Sequence, residues 1–167
     1  MPQCLRKFNP MMPVMLLVMM LFQLCIAQAA WSAAGPWQGN EMFSARLITA
    51  VDRVGTAEQV PAGLEVKLKK GWKIYWRSPG DAGLPPVLDF SASTAISSHH
   101  MDFPAPYRFS VLGFDSYGYK EHVIFPVTLK LASPGRGVTV VGNFSGLVCD
   151  DVCIPVNETL TISLPEG

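Results

Sequence analysis

Apolar and polar residues alternate with a period of two through most of the chain after residue 40, and no stretch carries a sustained apolar stripe of helical period. Phe43, Ala45, Leu47, Thr49 and Val51 fall on one face of a first predicted strand. Leu64, Val66 and Leu68 alternate with Glu65, Lys67 and Lys69 in a second. A third sets Trp72, Ile74 and Trp76 against Lys73, Tyr75 and Arg77, after a turn near Lys70-Gly71. Ser78 to Pro86 is rich in the residues that fix or free φ and is expected to be an ordered loop.

Strand signals resume with Val123, Phe125, Val127, Leu129 and Leu131 on one face, where Pro126 argues for an edge strand or a bulge. The turn Ser133-Pro134-Gly135 leads to Val138, Val140 and Phe144, and a last strand carries Leu160, Ile162 and Leu164. Ala92 to His100 is too polar to assign. Many short alternating strands punctuated by Gly and Pro predict an all-β fold, an antiparallel sandwich of immunoglobulin-like type.

The first thirty-odd residues belong to a different class. Arg6 and Lys7 precede an apolar run from Met11 to Ile26, and small residues follow with A-x-A-like cleavage points after Ala29 or Ala34. The run falls short of the ~20 apolar residues that span a bilayer. Residues 1–34 are therefore expected to be a signal peptide, and residues 35–167 one exported domain with a core of its own. Phe22-Gln23-Leu24 before Cys25 lack the small residues a lipid-anchor cysteine wants. Removing Arg6 and Lys7 leaves 11 basic residues against 13 acidic ones, a net of −2, which gives no footing for nucleic acid or an anionic membrane surface.

Of four cysteines, Cys4 and Cys25 lie in the leader, and Cys149 and Cys153 remain in the domain with three residues between them. Export permits a disulfide. Strands on either side make Asp150 to Val152 a three-residue hairpin loop with the cysteines across its base. Opposed residues there have Cα atoms ~4.5 to 5.5 Å apart, within disulfide range. A loop so short gains little from chain-entropy stabilisation, and a structural sandwich disulfide usually bridges distant strands, so the pair reads as redox-active. Asp150 and Asp151 should raise the thiol pKa and make exchange depend on a docked partner. Turn chemistry alone also accounts for both aspartates.

Two other readings stay open. The pair could bind Cu(I) as a chaperone, with His99, His100 or Met101 as further ligands, or it could be an inert staple in a structural module. Six of the eight methionines lie in the leader, so no Met-rich copper site is present. No G-x-S-x-G, H-E-x-x-H or paired-carboxylate arrangement supports hydrolysis, and the sequons at Asn143 and Asn157 are chance matches in a bacterial-type exported chain.

Tyr117-Gly118-Tyr119, His122 to Val127, and Val148-Cys149…Cys153-Ile154-Pro155 together resemble the periplasmic N-terminal domain of the DsbD family of thiol:disulfide interchange proteins. The run from Gly71 to Pro85 is similar to the branch of suppressor of copper sensitivity protein B. The resemblance implies an immunoglobulin-like domain that takes electrons from a thioredoxin-like domain and a membrane electron-transfer domain, of the same or a partner protein, and reduces periplasmic thioredoxin-fold disulfide proteins. It implies no cofactor and no metal beyond the redox disulfide, and a link to copper tolerance. It also implies a cap over the cysteines from Phe109 through Leu112 to Phe114, with Trp72, Tyr75 and Tyr119 as neighbours. The enterobacterial DsbD domain has a longer cysteine spacing, so cap geometry and partner range do not transfer. Either the chain is a fragment whose native form continues past Gly167 into the membrane, or the domain works alone.

Overall fold

The computed structural model describes residues 32–111 and 113–167, and their regular structure is entirely β. Residues 1–31 of the expected leader, with Cys4 and Cys25, and Leu112 of the expected cap lie outside the described residues. Among those described, no helix is long and apolar enough to cross a membrane. The chain begins with β1 (Ala33–Ala34), β2 (Gln38–Gly39), β3 (Phe43–Thr49) and β4 (Gln59–Leu68). Next come β5 (Lys73–Gly80), β6 (Val87–Asp89), β7 (Ile96–Met101) and β8 (Tyr107–Val111). β9 (Phe114–Lys120), β10 (His122–Leu131), β11 (Val138–Cys149) and β12 (Cys153–Leu164) complete it.

These strands form two antiparallel sheets packed as an immunoglobulin-like sandwich. One runs β1-β3-β4-β10-β7 with β2 on β3, the other β12-β11-β5-β9-β8 with β6 on β11. The period-two pattern explains the packing, since a strand buries every second side chain when one of its faces meets the other sheet. β10 alternates exposed and buried from His122 to Leu131, and its partner β4 supplies Val60, Leu64 and Val66 to the same layer. The second sheet answers with Ile74, Val140, Phe144, Val148, Leu160 and Ile162.

Three sequence expectations change. Pro126 sits in a central strand, between β4 and β7, rather than at an edge. Its carbonyl accepts from the Asp102 amide at 2.8 Å, so the position that lacks an N–H faces the place where β7 pairing stops, and no ladder bond with β4 is lost. The unassigned Ala92–His100 segment contains β7, an edge strand whose polar residues face water. β5 runs on to Gly80, so the ordered loop is confined to residues 81–86.

Candidate functional site

β11 and β12 form one long hairpin whose register closes on Cys149 opposite Cys153. The sulfurs are bonded and the Cα atoms are 4.1 Å apart, slightly closer than an ordinary cross-strand pair. The turn is held by the Asp150 amide, which donates to the Val152 carbonyl at 3.1 Å.

On its other side Cys149 pairs with Lys73 of β5, and Val148 pairs with Ile74. Val148 and Ile74 enter the main core. Alternation therefore turns Cys149, Lys73 and Tyr75 to the outer face of the sheet. There Tyr75, Phe109 and Cys149 form a second, smaller buried cluster with Leu147 against it. The Tyr75 ring lies 6.1 Å from that of Phe109, and its hydroxyl donates to Cys149 Sγ at 3.1 Å and lies 3.7 Å from Cys153 Sγ. Burial raises the Tyr75 phenol above its ordinary pKa, so it stays protonated at neutral pH.

Two glycines make this geometry possible. A Cβ at Gly83, where φ is +109°, would overlap the Tyr75 ring, so the 81–86 loop lies flat on that ring. Gly118 pairs with Tyr75, and a side chain there would strike the β5 backbone.

The two sulfurs are not equivalent. Cys149 is fully buried, whereas Cys153 is an exposed residue at the start of edge strand β12. The acidic loop is also less negative than its sequence suggests. Lys73 Nζ contacts Asp150 Oδ1 at 3.3 Å, placing an ammonium beside the carboxylate nearest the buried sulfur, while Asp151 is exposed. Covering by Tyr75 and Phe109, more than repulsion by acids, shields Cys149.

Among the expected aromatic neighbours, Tyr75 meets the disulfide, and Phe109 of the expected cap joins the same buried cluster through the Tyr75 ring. Trp72 and Tyr119 do not: Trp72 packs against the main core and Tyr119 belongs to it, edge-on to Phe125 with ring centroids 5.1 Å apart. The reason is parity. Tyr119 pairs with Ile74 and shares its inward face, and Trp72 is two residues from Ile74. The Tyr119 hydroxyl donates to the Pro104 carbonyl at 2.7 Å, and burial pushes its pKa up to about 12 against the opposing charge of Arg77.

Phe109 and Phe114 stand near the tip of the β8–β9 hairpin, Phe109 buried and Phe114 half-exposed and outside the cluster. Lys73, Gly83 and Leu147 were not anticipated. Leu147 could have been found by carrying the hairpin's alternation back from Cys149, whereas Lys73 and Gly83 reach the site through the pairing of β5 with β11 and the path of the 81–86 loop, which no local pattern carries.

The copper ligands considered from sequence are not gathered. His99, His100 and Met101 lie on β7 in the opposite sheet, with the His99 ring 5.0 Å from that of Phe90 and His100 paired with Asp102 at 3.1 Å. Among the described residues no group of three His, Cys, Asp or Glu side chains is placed to hold a metal.

Comparison with known proteins agrees with this geometry. Residues 44–165 match the family model described as thiol:disulfide interchange protein DsbD, N-terminal. The crystal structure of the N-terminal periplasmic domain of ScsB from Proteus mirabilis is similar at 29% identity and a TM-score of 0.67, over 81% of this chain and 53% of that one. This chain thus spans about half the length of that structure. The reduced DsbD N-terminal domain of Neisseria meningitidis aligns at 14% identity and a TM-score of 0.41, over 76% of this chain and 88% of that one. A comparison with curated protein sequences finds no match. The chain belongs to the family of the DsbD N-terminal domain, and it is a thiol–disulfide exchange domain built on the Cys149–Cys153 disulfide.

Proposed function

We propose that this domain is a periplasmic protein-disulfide reductase module that relays electron pairs. It takes them from a thioredoxin-like domain and a membrane electron-transfer domain, of the same or a partner protein, and passes them to thioredoxin-fold disulfide proteins. The observation that carries the reading is the unequal exposure of the two sulfurs, with Tyr75 aimed at the buried one. A periplasmic location is supported by the leader pattern and by the described location of the similar ScsB domain.

In the charging half, a donor thiolate attacks the exposed Cys153 sulfur. The bond between the two sulfurs breaks, and Cys149 leaves as a thiolate stabilised by the Tyr75 hydroxyl, then takes a proton from solvent. The donor's second thiol attacks its own sulfur in the mixed disulfide and releases Cys153. Two electrons and two protons have moved from the donor dithiol to Cys149 and Cys153. In the discharging half the Cys153 thiolate attacks a partner disulfide, and Cys149 resolves the product. The disulfide itself is the carrier, so the cycle calls for no cofactor. A link to copper tolerance is proposed to run through the redox upkeep of partners.

The test is mixed-disulfide trapping with single-cysteine variants. Cys149→Ser, which keeps the exposed thiol, is expected to trap donor and acceptor proteins, and Cys153→Ser to trap none. Failure of both variants to trap, together with a reduction potential below about −300 mV, the range of inert structural bridges, would leave only the structural reading.

A further inference from the structure

The outer face that bears the disulfide continues as a track along the hairpin. Leu147, Ser145 and Asn143 succeed Cys149 at alternate positions of β11, while Pro155, Asn157 and Thr159 succeed Cys153 along β12. Beside the cysteines the track is apolar. Leu84 and Pro85 of the 81–86 loop and Val87 of β6 wall an open groove of about 400 Å³ floored by Leu147 and Pro155. Leu84 is 59% and Val87 52% exposed, an unusual amount of aliphatic surface to leave wet beside a reactive site.

The groove shares Ser145 and Asn157 with a second depression of about 390 Å³, lined by Asn143, Thr159 and two carboxylate side chains, Asp89 and Glu158, beside Phe144. Hydrogen bonds from the Ser91 amide and hydroxyl hold the Asp89 carboxyl below its usual pKa, so it is charged at neutral pH. Among the described residues no basic side chain forms a salt bridge with it.

We infer that this track seats an extended segment of the partner polypeptide next to its reacting cysteine. The segment carries an aliphatic side chain close to that cysteine and a basic one farther along. Two features select this occupant. The apolar groove is continuous with the disulfide, since Leu147 packs on the Cys149 cluster and Pro155 is two residues from Cys153. The far end offers the Asp89 carboxylate, held by Ser91 and without a salt bridge among the described residues, which complements a cation. At ~3.3 Å per strand residue, the groove lies two or three residues from the cysteines and the second depression about six. The inference deepens the exchange reading and rests on it.

The test uses synthetic peptides with one cysteine held as an activated aromatic disulfide, and Leu at the second and Lys at the sixth residue from it, built in both chain directions. Control peptides replace Leu with Ser or Lys with Glu. Rates of reaction with the reduced domain are divided by each variant's own rate with glutathione disulfide. In one direction the Leu/Lys peptide is expected to react about fivefold faster than either control, from partial burial of one aliphatic side chain and the charge contact. Val87→Ser is expected to erase the advantage of Leu, and Asp89→Asn that of Lys. Equal rates for all peptides with brisk reaction throughout would overturn the groove assignment and leave the exchange reading standing. No reaction with any peptide or with glutathione disulfide would overturn both.

Discussion

Replacing Tyr75 with Phe removes one oxygen from the site and leaves the ring that supports Gly83 and Phe109. The lost contact is the 3.1 Å hydrogen bond to Cys149 Sγ, which strengthens when Cys149 becomes a thiolate. Hydrogen bonds to charged groups contribute about 1.5–3 kcal/mol, and a diffuse sulfur acceptor belongs at the low end. At about 1.4 kcal/mol per pKa unit, the Cys149 thiol should titrate roughly one unit higher in Tyr75→Phe. A leaving thiolate one unit more basic should slow attack on Cys153 about threefold, from the rate sensitivity of thiol exchange. The phenol, raised by burial, keeps its proton through neutral pH, so the effect should be flat there. The assay follows thiolate ultraviolet absorbance against pH in reduced Cys153→Ser with and without Tyr75→Phe, and the rate of reduction by dithiothreitol in the two-cysteine proteins. An unchanged Cys149 titration and an unchanged rate would show that the hydroxyl contact has no chemical role.

Three further outcomes are expected. Gly83→Ala forces a side chain onto a φ of +109° and into the Tyr75 ring, so it should cost about 1–3 kcal/mol in urea unfolding and expose Cys149 to alkylation in the reduced state; an unaltered midpoint and alkylation rate would contradict the packing. Burial pushes the Glu65 carboxyl up, but hydrogen bonds from Arg46 at 2.7 Å and His122 at 2.9 Å outweigh it, and its net pKa is lowered. A lowered pKa contributes stability above the unfolded value of about 4.3 that is lost as the pH falls through the folded one. Glu65→Gln should therefore be about 1–2 kcal/mol less stable than the parent at neutral pH, with a gap that closes in acid; a gap independent of pH would refute the assignment. Finally, Ala33 and Ala34 pair with Thr49 and Ile48, so export processing is proposed to cut after Ala29, which keeps β1, and N-terminal sequencing that starts at Gly35 would count against it.

The sandwich was legible because burial on one face imprints period two on sequence, as in β10 from Val123 to Leu131. The hairpin was legible because the cysteines mark its register. β7 was not, because an edge strand facing water need not alternate. The aromatic neighbours were legible by type but not by face: Tyr75 and Tyr119 look alike in sequence, and only the pairing of Cys149 with Lys73 and of Ile74 with Tyr119 decides which one turns outward. Inequality between the sulfurs depends on contacts from β5 and β8, far away in the chain, so no local pattern around Cys149 and Cys153 could carry it.

The cysteine hairpin has one more consequence, for the direction of electron flow. Eleven register pairs, from Val138 with Leu164 to Val148 with Ile154, lead up to Cys149 and Cys153. When the sulfurs separate on reduction, that ladder still holds them opposite one another. Each thiol then meets the other at a high effective molarity, because the entropy of bringing them together was spent in folding. Ring closure is favoured accordingly, and any mixed disulfide formed through Cys153 is open to quick resolution by Cys149. In the proposed relay, stiffness of the hairpin thus becomes reducing power.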